Sequence, residues 1–150
     1  MARAPFQVLV IVCHRAGDSI RYCVFERKEP RNQMQFVAGG GEDAEAPIEA
    51  AARELWEETG IAGAPILPLV SLYHIPAHIF SVEQRAVWGE SLYVLPEYAF
   101  GAEVDSMDAI RLSDEHVACR WVAYDEAQKL LTWDSNKTAL FELDSILQNR

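Results

Sequence analysis

Between Gly39 and Ile61 the chain reads GGGEDAEAPIEAAARELWEETGI, with Glu54, Glu57 and Glu58 at positions i, i+3 and i+4. On a helix that spacing places the carboxylates on one face. Left alone, the cluster is unfavourable. Like charges at i,i+4 cost roughly 0.2–0.5 kcal/mol per pair. Glu57 and Glu58 also fall in the last turn, where the helix dipole prefers cations. A local rule broken in this way points to function. A hard divalent cation such as Mg2+ would remove the conflict, because it takes oxygen ligands and bridges carboxylates to substrate phosphates. Glutamates alone more often mark only a solvated helix face.

The elements that must position these groups are legible nearby. Pro47 suits a first helical turn, since its missing N–H would be unpaired there anyway. Gly60 suits the position just past the end, where a left-handed backbone is needed. The spacing predicts a helix over 47–59 with Ile48, Ala51, Ala52, Leu55 and Thr59 toward a core. Gly39-Gly40-Gly41 reads as a tight glycine loop that could bring a backbone carbonyl to a metal.

The full pattern is G-x5-E-x7-R-E-U-x-E-E-x-G-U, with U aliphatic. Gly39, Glu45, Arg53, Glu54, Leu55, Glu57, Glu58, Gly60 and Ile61 fill every fixed position. It resembles the Nudix box. The resemblance implies an α+β chain with the Nudix α/β/α sandwich around a mixed central sheet. It also implies a metal-dependent hydrolase of a diphosphate linkage in a nucleotide-like compound. Mg2+ is the expected cofactor, with Mn2+ as a substitute and two or more ions present with substrate. Gly39, Glu54, Glu57 and Glu58 match metal positions, and the Glu45–Arg53 pair matches a salt bridge supporting them.

A looser similarity is to bacterial dihydroneopterin triphosphate pyrophosphatases. It is carried by Glu115-His116-Val117-Ala118-Cys119-Arg120-Trp121 and Trp133-Asp134-Ser135-Asn136. It adds Glu115 as a metal ligand or base, and Arg3, Arg27 and Ala38 as substrate contacts. It implies release of pyrophosphate from a pterin triphosphate, with a broad (d)NTP pyrophosphohydrolase as the alternative. A non-catalytic nucleotide or metabolite sensor is the alternative of another class. Glu54 or Glu115 is the expected proton acceptor. His116 is expected to be a structural hydrogen-bonding residue. His74 and His78 are possible cleft residues, and Tyr73, Phe80 and Trp88 are core by default.

The remaining pattern predicts strands over 6–15, 19–27, 35–37, 66–75, 91–95 and 116–122. Further helices are expected over 125–131 and 135–148, the last with Leu140, Leu143 and Leu147 inward. With 150 residues and half of them hydrophobic, residues 1–150 are expected to form one domain. The net charge of −10 disfavours binding to long nucleic acids, which rests on phosphate neutralisation. It leaves room for a small triphosphate, and a homodimer is an open expectation. No apolar run reaches the length of a membrane span, no signal peptide is framed, and cytoplasmic location is expected. Cys13, Cys23 and Cys119 have no metal-ligand spacing and are expected to be reduced thiols in strands.

Overall fold

The computed structural model describes residues 2–150. Strand β1 (Arg3–Ala16) and strand β2 (Ser19–Arg27) form the expected hairpin around Gly17, whose φ is +64°. Strands β3 (Met34–Gln35) and β4 (Val37–Glu42) lead into helix α1 (Pro47–Thr59). Strand β5 (Ile66–Pro76), helix α2 (Val82–Trp88) and strand β6 (Val94–Glu103) follow. Strand β7 (His116–Val122) and helices α3 (Tyr124–Leu130) and α4 (Asp134–Gln148) complete the order.

The seven strands make one mixed sheet in the order β3-β2-β1-β6-β5, with β4 also on β1 and β7 on β2. β1 runs parallel to β6 and antiparallel to its other partners. Side chains alternate across a strand, so β1 feeds two cores. Val8, Val10 and Val12 pack with Ala50, Ala51 and Leu55 of α1. Leu9, Ile11 and Cys13 pack with Leu140, Leu143 and Leu147 of α4. A strand covered on both faces needs no polar alternation, hence the unbroken apolar run from Val8 to Cys13. The layers are helix, sheet, helix, as an α/β/α sandwich requires. No helix among the described residues is long and apolar enough to cross a membrane.

Several expectations are corrected. The glycine run is not a loop; Gly39 to Gly41 lie within β4, in antiparallel register with β1. The strand expected over 91–95 begins at Val94 and continues to Glu103, straight through Pro96. Pairing with β1 starts only at Glu97, so the missing Pro96 N–H breaks no bond on that side. Helix α2 was not foreseen. In α1, Ile48 and Ala52 are exposed, and Ala50 and Glu58 are buried instead. The cysteines are unpaired, with Cys13 and Cys23 buried and Cys119 half-buried. On β5 the register slips between Pro68 and Leu72. In that irregular stretch the N–H groups of Val70 and Ser71 donate to the Glu142 carboxylate of α4, at 2.6 and 2.7 Å.

Candidate functional site

Helix α1 is fixed at both ends. Glu49 accepts from the Ala46 N–H at 2.7 Å, and Pro47 opens the first turn. Gly60 closes the helix at φ 76°, donating its N–H to the Trp56 carbonyl. The buried stripe of Ala51, Leu55 and Thr59 presses α1 onto the sheet and brings Glu54 and Glu58 against β4. A side chain at either glycine would displace the charged group that faces it: a Cβ on Gly39 would lie 2.1 Å from the Glu54 carboxyl carbon, and one on Gly40 would lie 2.5 Å from the Arg3 guanidinium carbon.

Arg53 ties this corner together. Its Nε and Nη2 grip both oxygens of Glu45 at 2.8 and 3.0 Å, the planar fork suited to a carboxylate. Nη2 also donates to the Gly40 carbonyl, and Nη1 reaches Glu54 and Glu57 at 3.0 Å each. One guanidinium therefore links the helix, β4 and the connecting segment. It leaves Glu57 the most solvent-exposed of the three helix glutamates.

Glu58 is only 3% exposed. Its Oε2 accepts from the Ala38 N–H at 3.2 Å, and no N–H or hydroxyl donor reaches its Oε1. Glu115, just before β7, lies alongside. Burial, then the neighbouring Glu115 and Glu54 carboxyls, push the Glu58 carboxyl well above the usual carboxylate range. Glu115 is shifted the other way, chiefly by its hydrogen bond with Glu58. Burial of Glu58 beside the more exposed Glu115 therefore favours the protonated form of Glu58. Burial likewise raises Glu54 to about 7 against the pull of Arg53, with Glu57 and Glu115 adding to the rise.

These features fit a divalent cation. Carboxyl groups converge at the end of α1, a buried oxygen of Glu58 meets no N–H or hydroxyl donor, and the facing Gly39 carries no side chain. Mg2+ takes one or two carboxylates and completes its shell with waters and substrate phosphates. One or two of these carboxyls would suffice for it; no group of three or more His, Cys, Asp or Glu placed to hold one ion occurs among the described residues.

Other expected residues fall around this centre. His116 is buried against Phe25, with ring centroids 5.2 Å apart, but its Nδ1 has no hydrogen bond and stands 4.0 Å from Glu58 Oε1. Its expected structural hydrogen bond is therefore absent, and burial lowers its pKa and favours the neutral ring. Arg27 pairs across the strands with His116 and donates to the Glu29 carbonyl. Arg3 lies over the Phe80 ring at 4.8 Å and donates to Gln7 Oε1 at 3.0 Å, while its Nε stays unpartnered. Phe80 and Trp88 pack edge to face beneath it, and the Trp88 indole N–H donates to the Arg3 carbonyl. His78 lines a separate cavity of about 480 Å³ beside α2. Tyr73, expected in the core, is instead exposed near the end of β5 and lines another cavity, described next.

On the α4 side of the sheet a cavity of about 140 Å³ is lined by Leu9, Leu72, Tyr73, Ala99, Glu97 and Ser135 among others. Sequence reasoning missed Glu97 and Gln7. A glutamate after Pro96 in a strand-like segment carries no local signal; its burial arises only when β1, β5 and β6 assemble.

The NUDIX domain family model matches residues 5–143. A solved NUDIX hydrolase from Listeria monocytogenes is 41% identical with a TM-score of 0.84, covering 97% of this chain and 96% of that one. The asymmetrical bis(5'-nucleosyl)-tetraphosphatase of Rattus norvegicus is 33% identical over 84% of this chain and 80% of its own length. The E. coli dihydroneopterin triphosphate pyrophosphohydrolase is 21% identical with a TM-score of 0.75, covering 95% of this chain and 98% of that one, a likeness of fold. Of the curated relatives it matches, the chain spans from 30% to 80% of their own length.

Proposed function

The chain belongs to the Nudix family of hydrolases, and on that premise we propose that it is a Mg2+-dependent pyrophosphohydrolase. Its substrate is a nucleoside-triphosphate-like compound, with dihydroneopterin triphosphate the leading candidate and pyrophosphate a product. The observation that carries this reading is the placing of Glu54 against Gly39 and of the buried Glu58 beside Glu115, where burial and neighbouring carboxyls raise the proton affinity of Glu54 and Glu58.

Glu54, Glu58 and Glu115 would hold the cation, with Glu57 at the exposed rim. When bound, such a cation would neutralise phosphate charge and acidify a water. The chain supplies position and proton transfer. Arg53 holds Glu54 by Nη1 and Glu45 by its fork, so the ligand face cannot drift from β4. Glu54 or Glu115 would take the proton from the attacking water, and the Arg53 hydrogen bond fixes where the Glu54 carboxylate points. Arg3, whose guanidinium lies over Gly40, would be the phosphate contact on this side.

Purified protein with Mg2+ should release pyrophosphate from dihydroneopterin triphosphate or from common (d)NTPs. Comparable turnover of many (d)NTPs would favour a broad pool-cleaning role. Two monophosphate products would indicate a diphosphate-bridged substrate. No turnover of any would overturn the proposal.

A further inference from the structure

Granted the triphosphate hydrolysis proposed above, we propose that Glu97 reads the substrate's ring, selecting the 2-amino-4-oxo edge that guanine and pterins share. Four residues stand in one row across four strands: Gly40, Gln7, Glu97 and Tyr73 are successive cross-strand partners. The row begins at the glycine beneath the Arg3 guanidinium and ends in the cavity. The next row is Ala38, Leu9 and Ala99. It joins the cavity to the metal-side strand, because Leu9 lines the one and Ala38 donates its N–H to Glu58. A ring in the cavity would thus lie on the opposite sheet face from the carboxyl cluster, with β4 between them for the phosphate chain to cross.

The cavity's chemistry is selective. Leu9, Leu72 and Ala99 give it apolar walls and Tyr73 an aromatic one, and none of its lining residues is cationic. That suits a flat ring and not a phosphate. A cavity of about 150 Å³ is large enough for benzene, so one of about 140 Å³ takes a ring edge with the rest lying toward the opening.

Glu97 is a charged residue only 7% exposed, with no cationic partner. Its Oε2 accepts from Gln7 Nε2 at 2.9 Å. Burial pushes its carboxyl above the usual range against the hydrogen bonds from Gln7 and Ser135, and two further N–H donors from a ligand would draw it to the ionised form. Arg3 holds the other end of the Gln7 amide, which fixes the amide's orientation. A carboxylate has about four acceptor sites, so capacity remains for a ligand. Two adjacent in-plane N–H donors match it, and guanine and pterins present such a pair at the ring N–H and 2-amino group. Adenine and cytosine set an amino donor beside a ring acceptor, and uracil sets one donor between two carbonyls. All three mismatch.

The experiment compares kcat/KM for guanosine, inosine and adenosine triphosphates in wild type and Glu97→Gln, with thermal melts to confirm folding. Inosine lacks only the 2-amino group. The wild type should prefer guanosine over inosine about 10- to 100-fold, the range for one bidentate pair. In Glu97→Gln that ratio should fall toward one, chiefly through KM. Equal wild-type use of the two, or an unchanged ratio in the variant, overturns the proposal. A second arm measures calorimetric binding of guanosine and inosine monophosphates, with no metal and no turnover. If no triphosphate is hydrolysed, the hydrolase reading fails. Guanosine-selective binding lost in Glu97→Gln would then still support the role of Glu97, and its absence would overturn it.

Discussion

Glu58→Gln should separate stability from activity. In the metal-free protein Glu58 keeps its proton far above the ordinary carboxylate range. A buried acid whose folded pKa is raised makes folding take up a proton. Its stability contribution is therefore complete at low pH and is lost as pH rises from the unfolded value toward the folded one. At pH 8 the wild type carries this cost. Glutamine mimics protonated Glu58: its oxygen can accept from the Ala38 N–H and its amide can donate to Glu115. Replacing a strained functional group commonly gains about 1–2 kcal/mol. At this size that is about 2–8 °C in Tm. Melts in EDTA at pH 8 should show the variant above wild type, with the gap shrinking toward pH 5. With Mg2+ the order should reverse, since the variant loses a ligand, and turnover should fall at least about 100-fold. A metal-free variant that melts below wild type at pH 8 would refute the like-charge argument. Near-normal turnover or an intact Mg2+-dependent rise in Tm would refute the metal assignment.

The remaining expectations use the same geometry. Glu54, raised from 4.5 to about 7, represents about 3 kcal/mol of differential proton affinity. Metal-free stability should fall as pH rises through this window, and Mg2+ should stabilise more at pH 8.5 than at pH 6 while releasing protons measurable by calorimetry in two buffers. Gly39→Ala places a Cβ 2.1 Å from the Glu54 carboxyl carbon; the fold should survive, but the displaced carboxylate should cost about 100-fold in kcat. Arg53→Lys cannot reproduce the fork on Glu45 and should lower both Tm and kcat, whereas Arg120→Lys, at an exposed pair with Glu126, should change neither in the same assays.

Much of the metal-side corner was legible because its requirements are local. Pro47, Gly60 and the box spacing set the ends of α1, and the Arg53–Glu45 fork joins residues only eight apart. The inward face of α1 was misread because Glu58 itself occupies a buried position that hydrophobic periodicity counts as polar. The glycine run reads as a loop because glycine is a poor strand former. At 39 and 40 a carboxyl group or guanidinium lies where a side chain would be, and those come from α1 and the start of β1. Pro96 and Gly101 hid β6 similarly. Gly101 is needed because a Cβ there would meet Leu143 of α4 at 2.8 Å, a contact spanning forty-two positions.

The ring-side cavity was illegible for a deeper reason. Its walls come from β1, β5, β6 and α4, and its one buried charge is fixed by Gln7, ninety residues away in sequence. No window of the chain contains that relation. The row Gly40–Gln7–Glu97–Tyr73 exists only through three register choices, two antiparallel and one parallel. A one-residue slip in any of them would turn a member of the row to the opposite face. The box resides in one helix and one strand, whereas the proposed choice of ring depends on assembly of the whole sheet. Substitutions that shift strand register without touching the glutamates should therefore alter which substrate is taken before they alter whether the anhydride is cleaved.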